Sequence, residues 1–155
     1  MITIAIGLSL WVFPQSTQAK NNSSAASAVT ITIDVVFGGE ETFTTTGDAL
    51  CPSGTAISIP HDNNFTGGDP SSSDAHTFHL DKVLTCDDNS GTFTIGVQAA
   101  NEPCGPTDTG GWHVVSGTGA YENLQGGGHL VGTVTGDPCN PPGIIDVYTG
   151  MVRNR

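Results

Sequence analysis

Thr77-Phe78-His79-Leu80-Asp81-Lys82-Val83-Leu84-Thr85-Cys86-Asp87-Asp88-Asn89-Ser90-Gly91-Thr92-Phe93-Thr94-Ile95-Gly96-Val97-Gln98-Ala99 reads as two strands and the turn between them. In the first run Phe78, Leu80 and Leu84 fall on one face and His79, Asp81 and Val83 on the other; in the second, Phe93, Ile95, Val97 and Ala99 share a face. Successive side chains of a strand point to opposite sides, so apolar residues at every second position mark a strand with one buried face. Asp87-Asp88-Asn89-Ser90-Gly91 supplies turn chemistry to join the runs as an antiparallel hairpin.

The same pattern extends outward in both directions. Upstream, Ile31, Ile33, Val35 and Phe37 alternate with Thr30, Thr32 and Asp34, Gly38-Gly39 ends that strand, and Glu41 to Thr46 starts another. Pro60 to Asp74 is loop chemistry almost throughout, and loops of that length are commonly functional. Downstream, a second loop at Asn101 to Gly111 leads into a strand at Trp112 to Ser116. Gly117 to Gly128 reverses the chain, His129 to Thr135 runs back, and a Pro/Gly loop precedes a last strand at Ile144 to Val152. About eight short strands result, with no stretch long and periodic enough for a helix. Consecutive antiparallel strands must hide their edges, which predicts an all-β, eight-stranded antiparallel up-and-down β-barrel over residues 29–155, with a β-sandwich as the alternative.

Residues 1–19 differ from the rest: Ile2 to Phe13 is almost wholly apolar, Pro14 breaks the run, and Thr17-Gln18-Ala19 places small residues before Lys20. This is the layout of a signal peptide or an N-terminal anchor, and it predicts a secreted, extracellular or cell-envelope protein. Lys20 to Ala28 reads as a flexible lead-in. The remaining chain of about 136 residues suits one domain.

All fifteen acidic residues follow that segment, Lys82 is the only Lys or Arg between Asn21 and Val152, and the formal net charge is -11. Such a surface repels phosphate backbones and anionic lipid, which excludes nucleic acid and anionic membrane surfaces as natural partners. Four cysteines in a short exported chain are expected to pair. Three pairings are formally possible. Cys51 and Cys86 are separated by the same interval as Cys104 and Cys139, and all four lie beside turn residues, which favours joining them in that order.

Trp112-His113-Val114-Val115-Ser116-Gly117-Thr118-Gly119-Ala120-Tyr121, continuing through Leu124, Gly126, Gly128 and Leu130, resembles the glycine-framed hairpin of the allene oxide cyclase and dirigent barrel superfamily. Cys86-Asp87-Asp88-Asn89-Ser90-Gly91-Thr92-Phe93-Thr94 is similar to a segment of its small secreted bacterial members, and the resemblance supports pairing Cys86 with Cys51. It covers residues 86–135. It implies an eight-stranded barrel with an apolar interior and frequent self-association, and it carries over no catalytic residue. Physically the hairpin is a fold device: its glycines suit tight backbone, and Tyr121 and Leu124 pack under the turn.

No nucleophile elbow, metalloprotease helix or phosphate loop is present. His79 and Asp81 share a face and form half of a metal site, with His61 and Asp62 in reach from the long loop, but isolated surface histidines are the commoner explanation and no metal or cofactor is expected. Phe78, Phe93, Trp112 and Tyr148 fall on strands where they would line a ligand cavity or an exposed sugar-binding face, although core packing alone accounts for them. Asp146 and Tyr148 share a face of the last strand and would supply an acid and a phenol inside the barrel, where burial raises a carboxyl pKa and suits it to proton transfer. The expectation is a barrel that binds a small apolar ligand or guides its cyclisation or isomerisation without a cofactor. A structural or adhesive protein that self-associates as a homo-oligomer, and a carbohydrate-binding module, are the alternatives.

Overall fold

Alternation kept in phase from strand to strand gives a sheet one apolar face, and curling that face inward buries it without leaving an edge. The computed structural model of the chain, which describes residues 25–61 and 76–155, takes this solution. Eight strands follow one another: β1 Ser27–Val36, β2 Glu41–Thr46, β3 Ser53–Pro60, β4 His76–Cys86, β5 Thr92–Asn101, β6 Thr107–Gly117, β7 Leu124–Thr135 and β8 Gly143–Asn154. Each pairs antiparallel with the next, and β1 pairs with β8, so the barrel is closed in up-and-down order. The sandwich alternative is not the one adopted. The segment read as a signal or anchor lies outside the described residues, as does most of the Pro60 to Asp74 loop.

Strand β3 occupies a stretch not singled out as a strand, and the starts of β1, β6 and β7 differ from expectation: β7 begins at Leu124 rather than His129, because Leu124 to Gly128 pair with Asn154 to Gly150 of the last strand. Strand β1 starts at Ser27 rather than Val29, because Ser27 and Ala28 pair with Val152 and Met151 of the last strand. Strand β6 starts at Thr107, five residues inside the stretch read as a loop: Asp108, Thr109, Gly110 and Gly111 stand in register with Asn101, Ala100, Ala99 and Gln98. Gly110-Gly111 looks like a turn in sequence, yet here it is strand.

The two ends of the barrel are different. The end carrying the β2–β3, β4–β5 and β6–β7 connections is filled by Phe43, Phe93 and Tyr121, packed edge to face at 5.8 and 5.3 Å between ring centres. The glycine-framed hairpin seals it: Gly119 takes φ +59 in a single 3₁₀ turn, Gly119–Tyr121, and Tyr121 and Leu124 are buried beneath. A disulfide joins Cys51 to Cys86 at this end, and another joins Cys104 to Cys139 across the β5–β6 and β7–β8 loops at the other. Both pairings are the ones favoured by the spacing. Two disulfides are compatible with an oxidising, extracellular setting, and among the described residues no helix is long and apolar enough to cross a membrane.

Candidate functional site

Inside the opposite end, that of the β1–β2, β5–β6 and β7–β8 connections, the described residues line a cavity of about 160 Å³. Its apolar walls include Val35, Phe78, Leu80, Val97, Leu130 and Ile144, and its polar groups include Glu41, Ser58, Lys82, Asp108, Asp146 and Tyr148. Ligand pockets usually span about 300–1,000 Å³, whereas an apolar cavity of about 150 Å³ already accepts benzene. The space therefore suits one ring or a short chain.

Strand phase places every polar group. Lys82 lies two residues from Leu80 and Leu84 on the inward face of β4, and is 3% exposed. Its Nζ donates to Glu41 Oε2 at 2.8 Å, and Ser58 Oγ donates to Glu41 Oε1 at 2.7 Å. The same Nζ reaches across the barrel to within 3.9 Å of Asp146 Oδ2 on β8, the strand diametrically opposite. Tyr148 OH donates to that oxygen at 3.0 Å. Burial raises the pKa of Asp146, and Lys82 and the Tyr148 hydrogen bond oppose the rise; burial, reinforced by Asp146, pushes the Tyr148 phenol well above its ordinary range.

Asp108 on β6 completes the group. Asp108, Gly132 and Asp146 stand in one row across β6, β7 and β8, all inward. A Cβ on Gly132 would lie 2.7 Å from Asp146 Oδ1 and 3.3 Å from Asp108 Cβ, so only glycine leaves the two carboxyls facing each other over bare backbone. Burial first, and the Asp146 charge second, raise the Asp108 pKa to about 6. In the unfolded chain it would titrate near 4, so between about pH 4 and 6 the folded state holds the extra proton. Asp108 should thus contribute least to stability above about pH 6: the stability of wild type relative to Asp108→Asn falls as pH rises through that window. Urea unfolding of both proteins at pH 4 and 7 checks this, and a difference that grows with pH would contradict it.

Comparison with family models, curated proteins and solved structures finds no match. The site therefore rests on its own geometry.

The residues singled out from sequence separate cleanly. Asp146 and Tyr148 face inward and are hydrogen-bonded. Phe78 and Tyr148 line the cavity. Phe93 belongs to the packed end, and Trp112 is 4% exposed, edge to face with Tyr148 and donating Nε1–H to the Thr149 carbonyl at 3.2 Å. The indole is thus no exposed sugar platform. His79 and Asp81 lie on the outer face of the barrel, where His61 Nε2 stands 3.0 Å from Asp81 Oδ1. No three metal-ligating side chains cluster among the described residues, and Asp62 lies outside them. Glu41, Ser58, Lys82 and Asp108 escaped the sequence reading. For Lys82 the signal was present, since it keeps the phase of Phe78, Leu80 and Leu84.

Proposed function

We propose that this chain is an exported barrel of the allene oxide cyclase and dirigent type. In this reading it takes a small apolar ligand into this cavity and, if it is an enzyme, guides a cyclisation or isomerisation there without a cofactor. The observation that carries the reading is the half-filled interior: aromatic side chains pack one end, while the other keeps a cavity with apolar walls around a buried carboxyl and phenol. A barrel serving only as a structural module gains nothing from that void, since an empty cavity destabilises the fold. Asp146, with its raised pKa and its Tyr148 donor, is the group suited to accept and return a proton on a bound molecule. The resemblance of the 112–130 hairpin and the signal-like N-terminus support the family type and the export.

The test is a titration of the oxidised protein with single-ring hydrocarbons and short-chain ketones, followed by NMR. Resonances of Phe78, Leu130 and Tyr148 should shift, and Leu130→Phe, which fills the space, should abolish the shifts while the barrel spectrum is retained. Absence of binding, or binding indifferent to Leu130→Phe, would refute the proposal.

A further inference from the structure

We propose that the occupant of this cavity is a small apolar amine, its ammonium seated against Asp108 and its ring or chain against Phe78, Leu80 and Leu130. The inference rests on the ligand-barrel reading above and adds the chemical class.

Charge and hydrogen-bonding capacity lead to it. Among the described residues, three carboxyls, Glu41, Asp108 and Asp146, face one ammonium, Lys82; Ser58 and Tyr148 complete the polar lining, and β1, β5 and β7 present only apolar side chains to the cavity. Lys82 is committed to Glu41 at 2.8 Å and stands 3.9 Å from Asp146. Asp108 is 9% exposed, and among the described residues it has neither a cation nor a side-chain hydrogen bond. Beside it, Asn101 Oδ1 is buried without a partner, in an adjoining pocket of about 30 Å³ that shares Asp108 with the cavity wall.

The unmet groups are therefore acceptors. A buried acceptor without a donor, and a buried charge without a counter-charge, both cost free energy that a suitable ligand recovers. A carboxylic acid would add a fourth negative charge, and a hydrocarbon would leave the acceptors as they are. An alkylammonium brings one positive charge and three N–H donors, and charge-assisted bonds of this kind are the strong ones. Asp108 and Asp146 both line the cavity, so a headgroup bound there meets their carboxyls from the cavity side. The cavity volume holds little more than a benzene ring, which limits the apolar part to that size. A formal net charge of -11 attracts cations to the molecule from a distance.

The decisive experiment compares benzylamine with benzyl alcohol, alike in shape, by calorimetry and NMR on the oxidised protein at pH 7.5. The amine should bind at least about tenfold more tightly, and Asp108→Asn should bring the ratio close to one. Equal or tighter binding of the alcohol would overturn the amine assignment and leave the ligand-barrel reading standing; binding of neither would remove both. A ratio unchanged in Asp108→Asn would also overturn the assignment. Should that variant fail to fold, the Asp108 carboxyl ¹³C signal of the wild type decides. Saturating benzylamine should lower its titration midpoint by about one pH unit for a tenfold preference, and an unmoved midpoint counts against the proposal.

Discussion

Lys82→Met is expected to destabilise the barrel by about 3–5 kcal/mol at pH 7, the range found when one partner of a buried ion pair is removed. The lysine is almost fully buried, and its Nζ is the single cation near Glu41 and Asp146 among the described residues. Methionine would fill the stem's volume but leave two carboxylates facing each other across an apolar interior, with only Ser58 and Tyr148 to solvate them. The loss should shrink as the pH falls, because burial raises the pKa of Asp146 and its protonation removes a charge that needs the ammonium. It should also shrink in Lys82→Met combined with Glu41→Gln, since removing both charges spares the stranded one. Urea unfolding of the single and double variants at pH 7 and pH 4 measures all of this. A single-variant loss below about 1 kcal/mol, the size of an exposed pair, would mean that Lys82 is not the electrostatic keystone of the interior.

The ease of reading the strands and the difficulty of reading this lysine have one cause. Period-two alternation is local, so Phe78 to Ala99 declared a hairpin, and the count of similar runs led to a closed barrel. Asp146 and Tyr148 were legible for the same reason: they are two residues apart on one strand, and a shared face follows from the pleat. Lys82 sits at an inward position by that rule. The competing rule, that lysine is almost never buried unless paired, outweighs it whenever no partner is in view. Its partners come from β2 and β8, 41 residues before it and 64 after, and only closure of the barrel brings them together. Asp108 was hidden differently: Gly110-Gly111 and the Pro-rich run before it carry loop chemistry, which masked the first turns of β6. Glycine in this barrel mostly marks close approach, as at Gly132, where the missing side chain is what lets Asp108 and Asp146 meet.

The second large effect expected concerns the disulfides, and the two should not behave alike. Each closes an interval of 35 residues, so the loss of chain entropy in the unfolded state is the same for both, about 3–4 kcal/mol. Their surroundings differ. Cys51 and Cys86 are 2% and 5% exposed and belong to the apolar core, whereas Cys139 is exposed and joins Cys104 in the loops at the cavity end. Thiolates reach an exposed bond far more readily than a buried one. Mild reduction should therefore open Cys104–Cys139 first, giving a still-folded barrel with loosened loops at the cavity end. Replacing Cys51 and Cys86 by alanine should cost more than replacing the other pair, because packing of the sulfurs in the core is lost as well as the cross-link. Removing both links should cost at least about 6–8 kcal/mol, which is comparable to the whole stability of an ordinary domain and would leave much of the chain unfolded at 37 °C. Peptide mapping after graded reduction, together with urea unfolding of the two double-alanine variants, tests the order and the sizes. If Cys51–Cys86 opened first, or if its removal proved the milder of the two, the packed end would not be the stable half of the barrel.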